Sequence, residues 1–261
     1  QLAKPNPQVK DLRTIGLMFP KKVNVPNTSN VENNNGEMFA VLAATVTETP
    51  KNGSDEIDKA FDECWIGKDG YKKTDGSVQK KAIAYQGNVR DAQGNTITEI
   101  FVADISEDLS QQSFANEVAG TANSRPAVPN GISQRRVTFM AKSSQSFGKG
   151  AKGPRHWLRS SADGSQIFFL SEDEKGLIQA FSVSPNGGDI KQVTKNDFSI
   201  TSPINISPDG LHLSYIADQS VFITEIATGK AQRLTQKFEA PEQLNGAVVW
   251  SNDGNSLAFN R

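Results

Sequence analysis

The sequence has few of the residues that build the most easily recognised sites. Its 261 residues include one cysteine and two histidines, so an intrachain disulfide and a cysteine-cluster zinc site are excluded. Positive and negative charges nearly balance, with 28 Lys plus Arg against 29 Asp plus Glu, which disfavours nucleic acid or an anionic membrane as the partner. No apolar run approaches the ~18 residues of a membrane span, so we expect none.

The sequence has an internal repeat instead. Three Ser-x-Asp-Gly turns occupy residues 161–164, 207–210 and 251–254, and their Asp residues are 46 and 44 positions apart. Each turn lies between two short apolar or alternating runs, which is the pattern of a β-hairpin. A second marker, Val-Thr or Leu-Thr, recurs at 137–138, 193–194 and 234–235.

The repeat unit holds four strands in about 45 residues, which is the spacing of a β-propeller blade. We therefore predict an all-β propeller of four-stranded antiparallel blades, the C-terminal part of a seven- or eight-bladed ring; an all-β sandwich is the alternative. The chain would form one partial domain, 1–261. Its parts would be irregular strands in 1–74, a blade with inserts in 75–155, blades in 156–203 and 204–246, and an incomplete blade in 247–261.

One segment has a helical pattern. Ser54 can cap a helix, and Asp55 and Glu56 favour its N-terminal end. Ile57, Ala60, Phe61, Cys64 and Trp65 share one face at helical spacing. The spacing predicts an inserted helix near residues 54–65, with Cys64 as a small buried hydrophobe rather than a reactive thiol.

The Asp-Gly blades resemble the propeller repeats of the TolB type. The segments 82–87, 134–139 and 153–161, which reads GPRHWLRSS, resemble an uncharacterised bacterial family of the Tol biopolymer-transport type that is related to oligogalacturonate lyase. The resemblance runs from about residue 11 to 261 and implies export, with the periplasm as the location. It indicates the fold more than the function, because propellers host many activities.

The sequence has only part of the residues that the lyase chemistry requires. Oligogalacturonate lyases hold a divalent metal with several histidines and a glutamine, whereas this sequence has only His156 and His212. We therefore expect no cofactor, unless missing blades supply further ligands and the lyase alternative holds. His212 alternates with leucines and is interpreted as a strand-surface residue.

The candidate binding site is a cluster of positive residues before the first Ser-x-Asp-Gly turn. It consists of Lys149, Lys152, Arg155, His156 and Arg159, and no Asp or Glu occurs between residues 139 and 162. Positive groups this close repel one another unless an anion offsets them. The offset would come from a carboxylated ligand, or from an acidic residue elsewhere, such as those in 55–63.

Two functions follow from this cluster. The first is a binding propeller for an anionic saccharide or a protein partner, without chemistry. The second is a metal-assisted polysaccharide lyase, in which Arg155, His156 and Arg159 would fill part of the catalytic roles. A periplasmic assembly factor is a third reading, on the TolB resemblance alone.

Overall fold

The computed structural model describes residues 11–23, 36–107, 127–142 and 150–261. Within them the chain consists of strands, turns and one short 3-10 helix, Met140–Lys142. The first two strands, β1 (Gly16–Val23) and β2 (Gly36–Leu42), form an antiparallel ribbon. The predicted fold class is thus confirmed as all-β.

The first blade is a four-stranded antiparallel sheet with a small hairpin inserted after its first strand. The inserted hairpin precedes a long central strand pair, Lys81–Ile105, whose two strands match residue for residue. The strands are β3 (Ala60–Trp65), β4 (Tyr71–Lys72), β5 (Val78–Gln79), β6 (Lys81–Arg90), β7 (Thr96–Ile105) and β8 (Ile132–Arg136), with sheet order β3-β6-β7-β8.

The second and third blades are simple meanders, in which each strand pairs with the next. The second contains β9 (Arg159–Ser160), β10 (Ile167–Glu172), β11 (Ile178–Val183) and β12 (Lys191–Gln192). The third contains β13 (Asn205–Ile206), β14 (His212–Ala217), β15 (Ser220–Glu225) and β16 (Ala231–Arg233). A last pair follows, β17 (Asn245–Trp250) and β18 (Leu257–Asn260).

Neighbouring sheets share hydrophobic cores. On β10, Phe169 packs towards the first blade with Ile100, whereas Phe168 packs towards the third blade with Tyr215. Successive residues of a strand point to opposite faces, so a strand buried on both faces is apolar throughout. Sheets stacked face to face in this way are the blades of a propeller.

The Ser-x-Asp-Gly turns share one hydrogen-bond pattern. In each turn the serine hydroxyl donates to Oδ1 of the Asp and accepts from the backbone N–H five residues after the serine. The serine hydrogen bond is the main reason why the pKa of each of these carboxyls is lowered. The repeat is therefore a repeat of turn chemistry.

The threonine of the second marker also has a constant role. Its hydroxyl oxygen accepts a hydrogen bond from a backbone N–H of the third strand of the blade, at 2.8–3.0 Å, in the pairs Thr138 with Ile100, Thr194 with Ala180, and Thr235 with Val221. The hydroxyl thus satisfies a strand donor just beyond the last paired residue of the outer strand.

The helix predicted near residues 54–65 is wrong. Residues 60–65 form β3, which pairs with β6, so the first sheet starts before the boundary predicted at residue 75. A register shift between Phe61 and Cys64 marks a bulge. A bulge interrupts the two-residue alternation of a strand, and the resulting apolar spacing imitated a helix; Trp65 is in fact 57% exposed.

Parts of the blade that was predicted with inserts lie outside the described residues. These parts are residues 108–126 and 143–149, and the candidate site residue Lys149 is among them. Between β3 and β6 the β4–β5 hairpin extends the connection.

Candidate functional site

A cleft of about 370 Å³ opens between the first blade and residues 151–156, which lead into the second blade. Strands β3, β6 and β7 of the blade supply side chains to the cleft, and the segment 151–156 supplies a cationic rim. The lining residues that enter the argument below are Arg13, Asp62, Gln86, Lys152, Arg155 and His156. Among these residues the three cations Arg13, Lys152 and Arg155 face the single carboxylate of Asp62, and Arg13 and Lys152 also pair with the carboxylates of Asp11 and Glu172 outside the lining.

Asp62 is placed in the cleft by the bulge of β3. Its backbone is left-handed, with φ of 54°, a conformation that Asp tolerates better than most residues. The residue is only 6% exposed. Its carbonyl oxygen accepts a hydrogen bond from the backbone N–H of Leu158, 3.0 Å away, which joins β3 to the segment that leads into β9.

Arg155 lies at the mouth of the cleft. Its Nε is 3.3 Å from Oδ1 of Asp62, and its side chain remains 74% exposed. The guanidinium carbon lies 5.3 Å from the ring centre of Trp157. Neither Nη atom has a hydrogen-bond partner among the residues that the structure describes, so the edge of the guanidinium that can grip a carboxylate is available.

His156 is buried and holds the backbone of the segment in place. Its Nδ1 lies 2.8 Å from the carbonyl oxygen of Pro154, and its Nε2 accepts from the N–H of Leu170 at 3.2 Å. The two contacts fit a neutral ring that donates from Nδ1. Burial is the main cause of its lowered pKa, which favours the same neutral form.

The carbonyl oxygen of His156 extends this anchoring to the first blade. It accepts a hydrogen bond from Nε2 of Gln86, at 3.1 Å, and Gln86 is itself buried. His156 thus fixes the chain next to Arg155, and neither of its ring nitrogens faces a ligand.

Arg159 joins two blades. Its Nε and one Nη donate to Oδ1 of Asn205, at 2.8 and 2.6 Å, and the other Nη donates to the carbonyl oxygens of Trp157 and Leu158. Asn205 in turn donates to the carbonyl oxygen of Val248. Arg159 and Asn205 occupy equivalent positions of two successive repeats, and the two side chains are in contact. Arg159 does not line the cleft described above.

Lys152 lines the cleft but is already paired. Its Nζ lies 2.5 Å from Oε1 of Glu172, a carboxylate at the end of β10. The structure therefore brings together Lys152, Arg155 and the backbone of His156, and places Arg159 between blades. Arg155 pairs with Asp62. This is one of the acidic partners in residues 55–63 that the sequence offered as the alternative to a ligand.

Sequence reasoning missed Arg13, Asp62 and Gln86 as lining residues. Gln86 and Arg13 gave no signal, because each is a common residue type in a strand or loop. The position of Asp62 depends on the bulge, which the helical interpretation concealed.

Other reactive groups do not add to the site. Burial raises the pKa of the Cys64 thiol to about 12, so it stays protonated, in accord with the expected inert cysteine. In the described ranges no three His, Cys, Asp or Glu side chains stand close enough to hold a metal ion.

Comparisons with known proteins identify a sequence relative. No protein-family model matches the chain. An uncharacterized protein of Escherichia coli (strain K12), YidR, is 32% identical over 252 residues, and the alignment covers 95% of this chain but 57% of YidR. The chain thus spans little more than half the length of that relative.

Three solved structures are distantly similar to this chain. TolB from Acinetobacter baumannii is 18% identical with a TM-score of 0.39, covering 85% of this chain and 43% of its own. A putative TolB from Agrobacterium tumefaciens is 16% identical, with a TM-score of 0.41 and coverages of 76% and 59%. XC5397 from Xanthomonas campestris, a gluconolactonase, is 9% identical, with a TM-score of 0.42 and coverages of 85% and 61%.

TolB proteins, the group that the Asp-Gly turns resemble, are thus among the structural neighbours. At these scores the likeness does not bear on activity, and the fold assignment rests on the stacked sheets. No helix within the described ranges has the length and apolar character needed to cross a membrane.

Proposed function

We propose that the protein is a binding propeller whose cleft recognises an anionic saccharide through Arg155. The observation that supports this most strongly is the state of that guanidinium. Asp62 holds only its Nε, Trp157 lies against its face, and both Nη groups remain available. An arginine oriented in this way can grip a carboxylate with two parallel hydrogen bonds.

The residues around Arg155 favour a binding site that is already formed before a ligand binds. The buried His156 and Gln86 fix the adjoining backbone, so little conformational entropy is lost when a ligand binds. Trp157 is 47% exposed and its ring contacts the guanidinium, which helps to hold Arg155 in this orientation.

The size of the cleft favours a small ligand over a protein. A volume of about 370 Å³ falls within the range of small-molecule pockets, and the site is concave. Protein interfaces are broad, with about 800 Å² on each partner. A protein partner remains the other possibility from the sequence, and no feature of the cleft favours it.

The lyase alternative gains no support from its proposed residues. A base must reach the proton beside the uronate carboxylate, but both ring nitrogens of His156 are engaged with backbone groups. Arg159 uses its donors between blades. As part of the proposal, binding takes place in the periplasm; this rests on the sequence resemblance alone, and fractionation of cells that express the protein would test it.

Calorimetric titration with oligogalacturonate tests the binding proposal. We expect the protein to bind it, a neutral oligosaccharide of the same length to bind at least tenfold more weakly, and Arg155→Ala to lose about tenfold or more in affinity. Lys175→Ala is the matched control, since Lys175 makes an exposed ion pair with Asp197 outside the cleft lining, and the affinity of this variant should not change.

Equal affinity of the wild type and Arg155→Ala would remove the site assignment. The same mixtures, incubated with a divalent metal and examined for chain cleavage, decide between the two activities. Cleavage that depends on the protein would favour the lyase, and binding with intact oligosaccharide supports the binding propeller.

A further inference from the structure

Asp62 has a carboxylate oxygen that the described part of the fold leaves without a partner. Only Oδ1 takes part in the contact with Arg155, at 3.3 Å, and none of the described residues donates a hydrogen bond to Oδ2. The Asp62 side chain is only 7% exposed, and it lines the cleft.

The Asp62 side chain as a whole is mostly buried, and it lines the cleft. An ionised Asp has about four acceptor positions, so Oδ2 can accept a hydrogen bond from a molecule in the cleft. Asp104 shows the ordinary arrangement in the same blade, because it accepts from the Tyr71 hydroxyl at 2.8 Å and pairs with Arg135 at 3.5 Å. Asp62 has a single contact, through Oδ1 alone.

Two donors next to Asp62 are already used by other groups. The Nε2 of Gln86 is used by the carbonyl oxygen of His156, and the N–H of Leu158 is used by the backbone oxygen of Asp62 itself. A donor for Oδ2 can therefore come from a molecule in the cleft.

We propose that Asp62 accepts hydrogen bonds from hydroxyl groups of the ligand whose carboxylate Arg155 binds. The cleft then selects hydroxylated sugar acids over simple carboxylates, and Asp62 is its specificity-determining residue. This inference rests on the proposed function, since it names the chemistry that the same cleft requires of its ligand.

The charges of the cleft favour a neutral hydroxyl over an ammonium group. Arg13, Lys152 and Arg155 all line the cleft with Asp62, and like charges at short range repel. A hydroxyl donates to Oδ2 without adding a fourth positive charge. A sugar acid supplies a carboxylate and several hydroxyls on one ring, and it meets both requirements.

Two ligands and one variant test this inference. Galacturonate and cyclohexanecarboxylate share a six-membered ring and a carboxylate, but only galacturonate can donate from hydroxyls. We expect the wild type to bind galacturonate about tenfold or more tightly. In Asp62→Asn, which keeps a residue suited to positive φ, this preference should fall to about threefold or less, with cyclohexanecarboxylate bound at least as tightly as before.

Asp104→Asn is the matched control, because it also neutralises a partly buried, paired carboxylate of the same blade but lies outside the cleft lining. It should keep the wild-type preference. If Asp62→Asn keeps that preference while Arg155→Ala still weakens both ligands, the role of Asp62 is wrong and the proposed function stands. If neither carboxylate binds the wild type, both fall.

A cooperative thermal melt shows whether Asp62→Asn is folded. If it is not, galacturonate with methylated hydroxyls gives the decision in the wild type, because it keeps the carboxylate and cannot donate. Binding about tenfold weaker than that of galacturonate supports the proposal, whereas equal binding overturns it.

Discussion

Arg155 and Asp62 meet through one atom each: Nε of the arginine lies 3.3 Å from Oδ1 of the aspartate, across the mouth of the cleft. The contact is one-sided, because the arginine side chain is largely exposed and the aspartate side chain is buried. It orients the guanidinium without occupying the edge that binds carboxylates. Asp62 thus offsets the charge of Arg155 and at the same time orients the guanidinium so that it can bind an anion.

Replacing Arg159 with alanine should weaken the fold and leave binding unchanged. The change removes two hydrogen bonds to Oδ1 of Asn205 and two to backbone carbonyls. We expect the free energy of unfolding to fall by about 1–3 kcal/mol, measured by urea denaturation. A loss of affinity for oligogalacturonate in a variant that is still folded would return Arg159 to the binding site.

The protonation of His156 should make stability depend on pH. Burial lowers the pKa of His156 below its ordinary value of 6.5, so the unfolded chain binds the proton more readily than the folded one. The contribution of His156 is therefore complete above pH 6.5 and is lost as the pH falls below it, by at most about 1.4 kcal/mol per pH unit.

Urea denaturation between pH 7.5 and about 5 measures this slope. The exposed carboxyls of the Ser-x-Asp-Gly turns do not confuse it, because their pKa values are lowered from 3.8 and they titrate in more acidic solution. In His156→Gln the slope over this interval should be smaller. An unchanged slope would contradict the buried, neutral histidine.

Thr194 should be needed for its hydroxyl rather than its shape. The hydroxyl accepts from the N–H of Ala180 at 2.8 Å and donates to Oε1 of Gln179 at 2.7 Å, and all these residues are buried. Thr194→Val keeps the volume but leaves both groups without that partner, which costs about 1–3 kcal/mol. Thr194→Ser keeps the hydroxyl and should lose less; the reverse order in denaturation would contradict the role assigned to the marker.

Two glycines with similar backbone angles should differ in tolerance. Gly67 and Gly210 have φ of 64° and 75°, so alanine is strained at both by about 1–2 kcal/mol. A Cβ on Gly67 would lie 2.1 Å from the carbonyl oxygen of Gly70, whereas one on Gly210 meets open space. Thermal melts should show Gly67→Ala to be much the more damaging; equal melting temperatures would contradict the close packing at Gly67.

The sequence predicted the blades because their signals are local. A Ser-x-Asp-Gly turn closes through hydrogen bonds within five residues, and the apolar strands around it are visible as short runs. The first blade was harder, because β3 carries a bulge and lies far from its partner β6 in the chain. Because of the bulge, the apolar residues of β3 do not alternate as they do in a regular strand, and they do not form a helix.

The site was only partly predictable for a similar reason. Arg155 and Arg159 look alike in sequence, yet Arg155 lies in a loop and faces the cleft, whereas Arg159 begins β9 and contacts Asn205. His156 looked functional next to two arginines, but burial and two backbone contacts give it an anchoring role. Asp62 lies 93 positions from Arg155, and only the tertiary structure brings the two together.

The most direct test of carboxylate recognition compares trigalacturonate with its fully methyl-esterified form by calorimetric titration. The ester keeps the rings and hydroxyls, and each negative charge is replaced by a neutral methyl ester. We predict that the acid binds about 10- to 100-fold more tightly, since charge-assisted hydrogen bonds to Arg155 are lost in the ester. Equal affinity for acid and ester would contradict the claim that the cleft binds a carboxylate.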